Sequence, residues 1–229
     1  MPRLPAQDAF AQAEKLVSAS VIKLSCIDRA MTYIPALLAP CQWRTTMALA
    51  TANICDFGWK ARDFALAGVD GKTRSFADVR GPKGTLVAFI CNHCPYVKAV
   101  IGRLVEEGNA LREIGIGTIA IMPNDAESHP QDSFENMKAF ARQHGFTFPY
   151  VIDSTQEVAR AYGAQCTPDF FGFNTKDELQ YRGRLDASRT TLLQGVRRDL
   201  YEAMKQVAET GRGPVEQIAS MGCSIKWKD

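Results

Sequence analysis

The residues best suited to chemistry in this chain are Cys91 and Cys94, which stand three apart with His93 between them. They follow the apolar run TLVAFI at 85–90, which has the length of a strand buried on both faces. A thiol between a strand and a helix faces unpaired backbone N–H groups and the positive end of the helix dipole, which favours its thiolate. We therefore expect Cys91 to be the exposed nucleophile, with a pKa lowered further by His93, and Cys94 to resolve the mixed disulfide.

The spacing alone does not identify this chemistry, because a C-x-x-C pair also serves as half of a zinc site or arises by chance. A zinc site usually needs a second ligand pair at similar spacing, and the sequence contains none. The position of the pair between a strand and a helix favours redox exchange, and we predict neither a metal nor another cofactor. The alternative from another class is a metal-binding or delivery module using these thiols with His93, Cys166 or Cys223.

Strands and helices alternate from residue 63 onward, and this alternation predicts how the pair is held. Asp70-Gly71 is a favoured two-residue turn and predicts a hairpin between two short strands. Further strands are predicted at 85–90, 118–122, 148–153, 169–174 and 179–185. Helices are predicted from Pro95, from a capping box of Asp132 and Glu135 to Gly145, from about Thr155 to Gly163, and from about Thr191 to Gly211. The fold class is α/β, with a mixed central sheet flanked by helices.

Residues 1–58 differ from the rest of the chain. Pro35 and Pro40 interrupt this segment, and it shows no strand–helix alternation. We expect an N-terminal extension over 1–58 and one domain over 59–229, and Met47 is our predicted natural start.

Composition excludes several classes of function. The chain is 46% hydrophobic and 23% charged, which is enough apolar material for a core. Its net charge of +2 comes from interspersed residues with no basic block, which argues against a nucleic-acid partner.

No run approaches the roughly 18 apolar residues of a membrane span, so no membrane partner is expected. Asp8 and Glu14 interrupt the N-terminus where a secretory signal would be apolar, so we expect a cytoplasmic protein, and the odd count of seven cysteines argues against a disulfide scaffold.

Several motifs resemble the thioredoxin superfamily. A strand, a C-x-x-C pair, an amphipathic helix and then CTPDFF at 166–171 before a hairpin are its order of features. The leader FALAGVDGK with SFADVRG, and an extra helix and strand between 124 and 153, resemble the redoxin branch, also called alkyl hydroperoxide reductase/thiol-specific antioxidant. CNHCPYVKA, YGAQCTPDFF and the ending MGCSIKWK are similar to a bacterial group named thioredoxin family proteins. The resemblance runs from about Trp59 to the C-terminus.

The resemblance implies a thioredoxin-like fold with a redoxin-type N-terminal hairpin and central insertion. It implies that Pro168 is a cis-proline facing the dithiol and that Thr167 offers its backbone to a bound peptide. The function implied is thiol-disulfide oxidoreductase, acting on protein or small-molecule disulfides and thiols and served by an unidentified reducing partner. Cys166 is either a small core residue or an additional thiol, and Cys223 is either packed in the tail or a resolving thiol.

The sequence also departs from the thioredoxin pattern. Thr85 stands where thioredoxins carry a buried acid, and Asp125 is the candidate to replace that acid as a proton acceptor. The redoxin leader suggests thiol peroxidase as an alternative, but the pattern P-x-x-x-[ST]-x-x-C is missing, since Gly84 and Ala88 occupy its first two fixed positions relative to Cys91. Four other polar residues are expected at the solvated surface: His129, His144, Arg182 and Arg184.

Overall fold

Two β-sheets organise residues 48–228, the part of the chain that the computed structural model describes. The strands are β1 (Leu49–Thr51), β2 (Ala65–Gly68), β3 (Thr73–Ser75), β4 (Gly84–Phe89), β5 (Ile116–Met122), β6 (Tyr150–Ile152), β7 (Cys166–Thr167), β8 (Asp169–Phe173), β9 (Leu179–Tyr181) and β10 (Met221–Ser224). The helices are α1 (Phe76–Val79), α2 (Pro95–Glu113), α3 (Phe134–Gln143), α4 (Glu157–Tyr162) and α5 (Asp199–Thr210). The larger sheet has the order β3-β2-β6-β5-β4-β8-β9, and the smaller one β1-β10-β7.

Strand β4 lies at the centre of the larger sheet, parallel to β5 and antiparallel to β8. All six of its residues are buried, as the continuous apolar run predicts. Its side chains alternate between two apolar layers, Leu86 and Ala88 in one and Val87 and Phe89 in the other. The sheet mixes parallel and antiparallel pairs between helices, which confirms the predicted fold class.

Helix α2 begins directly after the dithiol. Pro95 occupies its first turn, where the missing N–H costs no hydrogen bond. The apolar residues that predicted this helix are all buried on one face: Val97, Val100, Ile101, Leu104 and Leu111. Packing of that face against the sheet fixes the helix N-terminus, and with it Cys94 as the residue that caps the helix.

The smaller sheet extends the folded unit N-terminally of the predicted boundary at residue 59. Strand β10 pairs with β1 on one side and with β7 on the other. Residues Leu49–Thr51 therefore belong to the folded unit, because they form β1, which pairs with β10 near the C-terminus. Residues 1–47 of the predicted extension, which include Met47, lie outside the described residues.

Two predicted helix starts are wrong. Helix α3 is capped by Ser133, whose side chain accepts a hydrogen bond from the Asn136 N–H, and not by Asp132, which is drawn into the site described below. Helix α5 begins at Asp199 and not near Thr191, because Gly195 at φ +66° interrupts the helical path. None of the helices in the described range 48–228 is long and apolar enough to cross a membrane.

Candidate functional site

The two cysteines of the C-x-x-C pair lie at the strand–helix junction, as predicted, but neither is exposed. Cys91 follows β4 after one residue, and Cys94 is the N-cap of α2. Both residues have a relative exposure of 0%. The prediction that the Cys91 sulfur is exposed is therefore wrong for this structure.

Residue Thr167 contacts both sulfurs of the pair. Its Oγ1 lies 3.3 Å from the Cys91 Sγ, and its carbonyl oxygen accepts a hydrogen bond of 3.1 Å from the Cys94 Sγ. The Thr167–Pro168 peptide bond is cis, which confirms that part of the prediction. The structure thus brings Thr167 and Pro168 to the dithiol, and their role in positioning a substrate stays a prediction.

A third sulfur joins the pair. The Sγ atoms of Cys94 and Cys223 lie 2.8 Å apart, within one hydrogen bond, and Cys223 is 3% exposed. Cys223 lies in β10, at the register position opposite Thr167. Cys223 is thus packed in the fold next to the dithiol, and its role as a resolving thiol stays a prediction.

The negative charge of this cluster is favoured on Cys94 and not on Cys91. Interactions with the Cys223 and Cys91 side chains, aided by the Val97 N–H, lower the pKa of Cys94 against the effect of burial. Burial raises the pKa of Cys91, and its hydrogen bond to Cys94 and the charge of Asp132 raise it further. The expected order of the two thiol pKa values is therefore reversed, because the neighbouring groups stabilise the thiolate of Cys94 and not that of Cys91.

Asp132 is the functional residue that sequence analysis missed. It is fully buried; its Oδ1 accepts from the Asn92 N–H at 2.8 Å, and its Oδ2 lies 2.7 Å from His93 Nδ1 and accepts from Asn124 Nδ2 at 2.8 Å. Burial alone would raise the pKa of this carboxyl, but the hydrogen bonds from His93 and Asn124 hold it below the usual value. The sequence signal was present in Asp132 itself, which we assigned to helix capping.

Further side chains extend the polar group formed by Asp132, His93 and Asn124, which we call the polar wall. The His93 ring stacks on His129, with centroids 5.5 Å apart, so the prediction that His129 is merely solvated surface is wrong. Burial lowers the pKa of His129, and the nearby His93 lowers it further. The Tyr150 hydroxyl, fully buried, donates to Asn92 Oδ1 at 3.0 Å. These contacts fix the two residues between the cysteines.

Cys166 is close to the site but does not join the sulfur cluster. It is fully buried in β7, its Sγ donates to the Pro168 carbonyl oxygen at 3.4 Å, and burial raises its pKa. These contacts support the reading of Cys166 as a small core residue.

Two positions were considered for a buried proton acceptor, Thr85 and Asp125, and their surroundings differ. Thr85 is buried and its Oγ1 has no hydrogen-bond partner among the described residues. The Asp125 carboxylate accepts from Ser128 and from the Glu127 N–H, which closes a local turn and occupies the group we expected to replace the missing acid. The Cys91 sulfur instead lies 3.3 Å from the Thr167 Oγ1 and interacts with the Cys94 side chain.

Two arginines near the site were predicted to face solvent, and one of them does not. Arg182 is 7% exposed, its guanidinium lies over the Phe171 ring, and it pairs with the buried Asp169 at 3.3 Å. Arg184 is partly exposed and pairs with Asp199 at 2.7 Å. The His144 ring is tilted against the Phe140 ring, with centroids 4.5 Å apart.

A small cavity of about 90 Å³ opens beside the cis-proline. Its lining includes Pro168, Tyr96 from the first turn of α2, Ser188 and Met221. The cis-proline and the first turn of α2 thus share a small cavity.

Comparisons with known proteins agree with this architecture. The model of the AhpC/TSA family matches residues 57–184. The crystal structure of an uncharacterized conserved protein from Geobacillus kaustophilus is 44% identical, with a TM-score of 0.75 over 80% of this chain and 97% of that one. The thioredoxin domain of a thiol-disulfide oxidoreductase from Bacteroides vulgatus shares the fold, with a TM-score of 0.53 at 17% identity over 68% of this chain and 99% of that one.

One curated relative carries a functional name. The thiol-disulfide oxidoreductase ResA of Halalkalibacterium halodurans is 25% identical over 130 residues, which span 57% of this chain and 69% of that protein.

Proposed function

This chain belongs to the AhpC/TSA family and is an oxidoreductase, and from that premise we propose that it performs thiol–disulfide exchange through Cys91 and Cys94. The observation that carries the proposal is the contact of both sulfurs with Thr167, next to the cis-proline at a strand–helix junction. The substrates we propose are disulfides or thiols of proteins or small molecules, because the ResA relative bears the name of that chemistry.

The first step joins Cys91 to the substrate. Cys91 passes its thiol proton to the Cys94 thiolate, with which it shares a hydrogen bond, and its sulfur attacks the substrate disulfide. A bond forms between Cys91 and one substrate sulfur, and the other substrate sulfur leaves as a thiolate. Cys94 thus supplies the proton acceptor that Thr85 cannot be.

The second step releases the substrate. Cys94 gives its proton to the departed thiolate and attacks the Cys91 sulfur, so that the Cys91–Cys94 disulfide forms and the second substrate thiolate leaves. The protein loses two electrons and the substrate disulfide gains them. Run backwards, the same steps oxidise a substrate dithiol.

A redox titration with thiol trapping tests this proposal. We expect one reversible two-electron transition in the wild type in which a Cys91–Cys94 disulfide forms, and reduction of a model protein disulfide at a rate that falls sharply in both Cys91→Ser and Cys94→Ser. Cys166→Ser is the matched control, since it removes another buried thiol of the same region without touching the pair. If Cys91 and Cys94 stay reduced at every potential, the proposal fails.

Metal binding is a second candidate, and one specific observation favours it. Ligand atoms of Cys91, His93 and Asp132 lie within 4.8 Å of one another, and sulfur, imidazole and carboxylate together suit zinc. The Asp132 oxygens, however, already accept hydrogen bonds from Asn92 and Asn124, which a metal would have to compete with. Stoichiometric metal in protein purified under reducing conditions, lost in Asp132→Ala, would support this function over exchange.

A further inference from the structure

Cys94 has two sulfur neighbours, and the one outside the C-x-x-C motif is already near bonding distance. The Cys94 and Cys223 sulfurs lie 2.8 Å apart, whereas a disulfide bond measures about 2.05 Å. Closing the bond therefore needs a movement of less than about 1 Å. A cysteine that served only as a small apolar core residue would have no reason to lie this close to another sulfur.

The backbone holds Cys223 in this place from both sides. Its strand β10 pairs with β7 through Thr167 and with β1 through Leu49. The preceding Gly222 permits the close approach, because a Cβ there would lie 2.1 Å from the Thr167 carbonyl oxygen. The same residue, Thr167, thus sets the positions of all three sulfurs.

The Cys94 sulfur interacts with the sulfurs of both Cys91 and Cys223, so both neighbours adjoin the same atom. Cys166 offers a contrast, because it is equally buried and lies on the adjoining strand, but its sulfur contacts the Pro168 carbonyl oxygen.

We propose that Cys223 is a third redox thiol, which exchanges with the Cys91–Cys94 disulfide to form an alternative Cys94–Cys223 disulfide. This inference rests on the proposed function. The Cys223 sulfur attacks the Cys94 sulfur, the Cys94–Cys223 bond forms, the Cys91–Cys94 bond breaks, and the proton of Cys223 ends on Cys91. The protein gains and loses no electrons in this step, and the oxidant is the substrate disulfide of the preceding reaction.

The consequence is an oxidised protein with a reduced Cys91. While Cys94 is bonded to Cys223, the Cys91 thiol is available to attack a second disulfide, and the two oxidising equivalents are stored in the buried pair. Cys94 is the member common to both disulfides, so its loss abolishes both, whereas loss of Cys91 leaves one.

The Cys91→Ser variant therefore tests the inference directly. We expect it to retain a reversible two-electron transition in a titration with reduced and oxidised dithiothreitol, and non-reducing peptide mapping to identify a Cys94–Cys223 disulfide. Cys91→Ser/Cys223→Ser should lose that transition, and the matched control Cys91→Ser/Cys166→Ser should keep it.

The wild type provides a second measurement that needs no substitution. Partly oxidised protein, quenched in acid, alkylated and digested, should contain both the Cys91–Cys94 and the Cys94–Cys223 peptides. The inference is overturned if Cys91→Ser shows no transition and the wild type yields the Cys91–Cys94 peptide alone. A wild type that never forms the Cys91–Cys94 disulfide overturns the proposed function instead.

Discussion

At the scale of single residues, the site is arranged around the Sγ atom of Cys94. Cys94 is the N-cap residue of helix α2, and its sulfur contacts the Thr167 carbonyl oxygen and two other thiols. In the sequence it is merely the second cysteine of a common motif. Its central position depends on Cys223, which lies 129 residues away, so no local pattern could reveal it.

Asp132→Asn tests the polar wall at the same scale. The substitution keeps the size of the side chain but replaces one accepting oxygen with a donor, next to the donors of Asn92 and Asn124. A buried donor left unsatisfied costs about 1–3 kcal/mol, so we expect the free energy of unfolding to fall by about that amount. Urea denaturation of the reduced protein measures it.

The same substitution also has a chemical signature. The Asp132 charge raises the pKa of Cys91, so its removal should lower that pKa and increase the alkylation rate of Cys91 near neutral pH. A merely structural Asp132 would change stability and leave the pH dependence of alkylation unaltered. Glu135→Gln, on the exposed side of α3, is the control and should change neither.

At the scale of elements, the sequence predicted the larger sheet and missed what depends on pairs across the fold. β4 and α2 were found because their apolar residues repeat locally, at continuous and helical spacing. Asp132 was misread because Asp132, Ser133 and Glu135 lie in one segment and offer alternative helix caps. Only the hydrogen bond from the distant Asn92 N–H to Asp132 shows that this carboxylate is used elsewhere. Arg182 was misread because its partner Asp169 lies on the neighbouring strand.

Arg182→Met is expected to destabilise the β8–β9 hairpin. It leaves Asp169, which is fully buried, without its cationic partner, and breaking such a pair costs about 3–5 kcal/mol. Burial raises the pKa of Asp169 to about 6 even beside Arg182, so the uncompensated charge is costly near neutral pH. Thermal unfolding measures the loss. The double variant Asp169→Leu/Arg182→Met should recover much of it, and equal losses in both variants would contradict the argument.

Gly222→Ala is expected to disturb the smaller sheet. The added Cβ would lie 2.1 Å from the Thr167 carbonyl oxygen, a backbone atom with little room to move, so β10 must shift and carry Cys223 with it. Overpacking of this kind costs about 1–3 kcal/mol. Gly102→Ala in α2 is the matched control, because a Cβ there meets nothing within 4 Å and should stabilise the helix by up to about 1 kcal/mol. Comparing the two melting curves tests the claim.

At the scale of the whole molecule, the reduced dithiol should make stability depend on pH. Cys94 has a lowered pKa in the folded state, so the unfolded chain binds its proton over a pH range in which the folded protein does not. Stability from this group is complete above the ordinary thiol pKa and is lost as pH falls. From about pH 7 to 8, the slope in reduced wild type should exceed that in Cys94→Ser by up to about 1.4 kcal/mol per pH unit.

Other groups with shifted pKa values act at lower pH or in the opposite direction, and the buried thiols Cys91, Cys166 and Cys223, whose pKa values are raised, reduce stability as pH rises toward the ordinary thiol pKa. His129 and His144, whose pKa values burial lowers, add stability with rising pH only up to their ordinary values, and Asp169 acts in the opposite direction below about pH 6. Urea denaturation at several pH values should therefore show the slope in reduced wild type. The oxidised protein and Cys94→Ser should lack it, because neither has a thiol at this position to ionise, and an unchanged slope in Cys94→Ser would place the charge elsewhere.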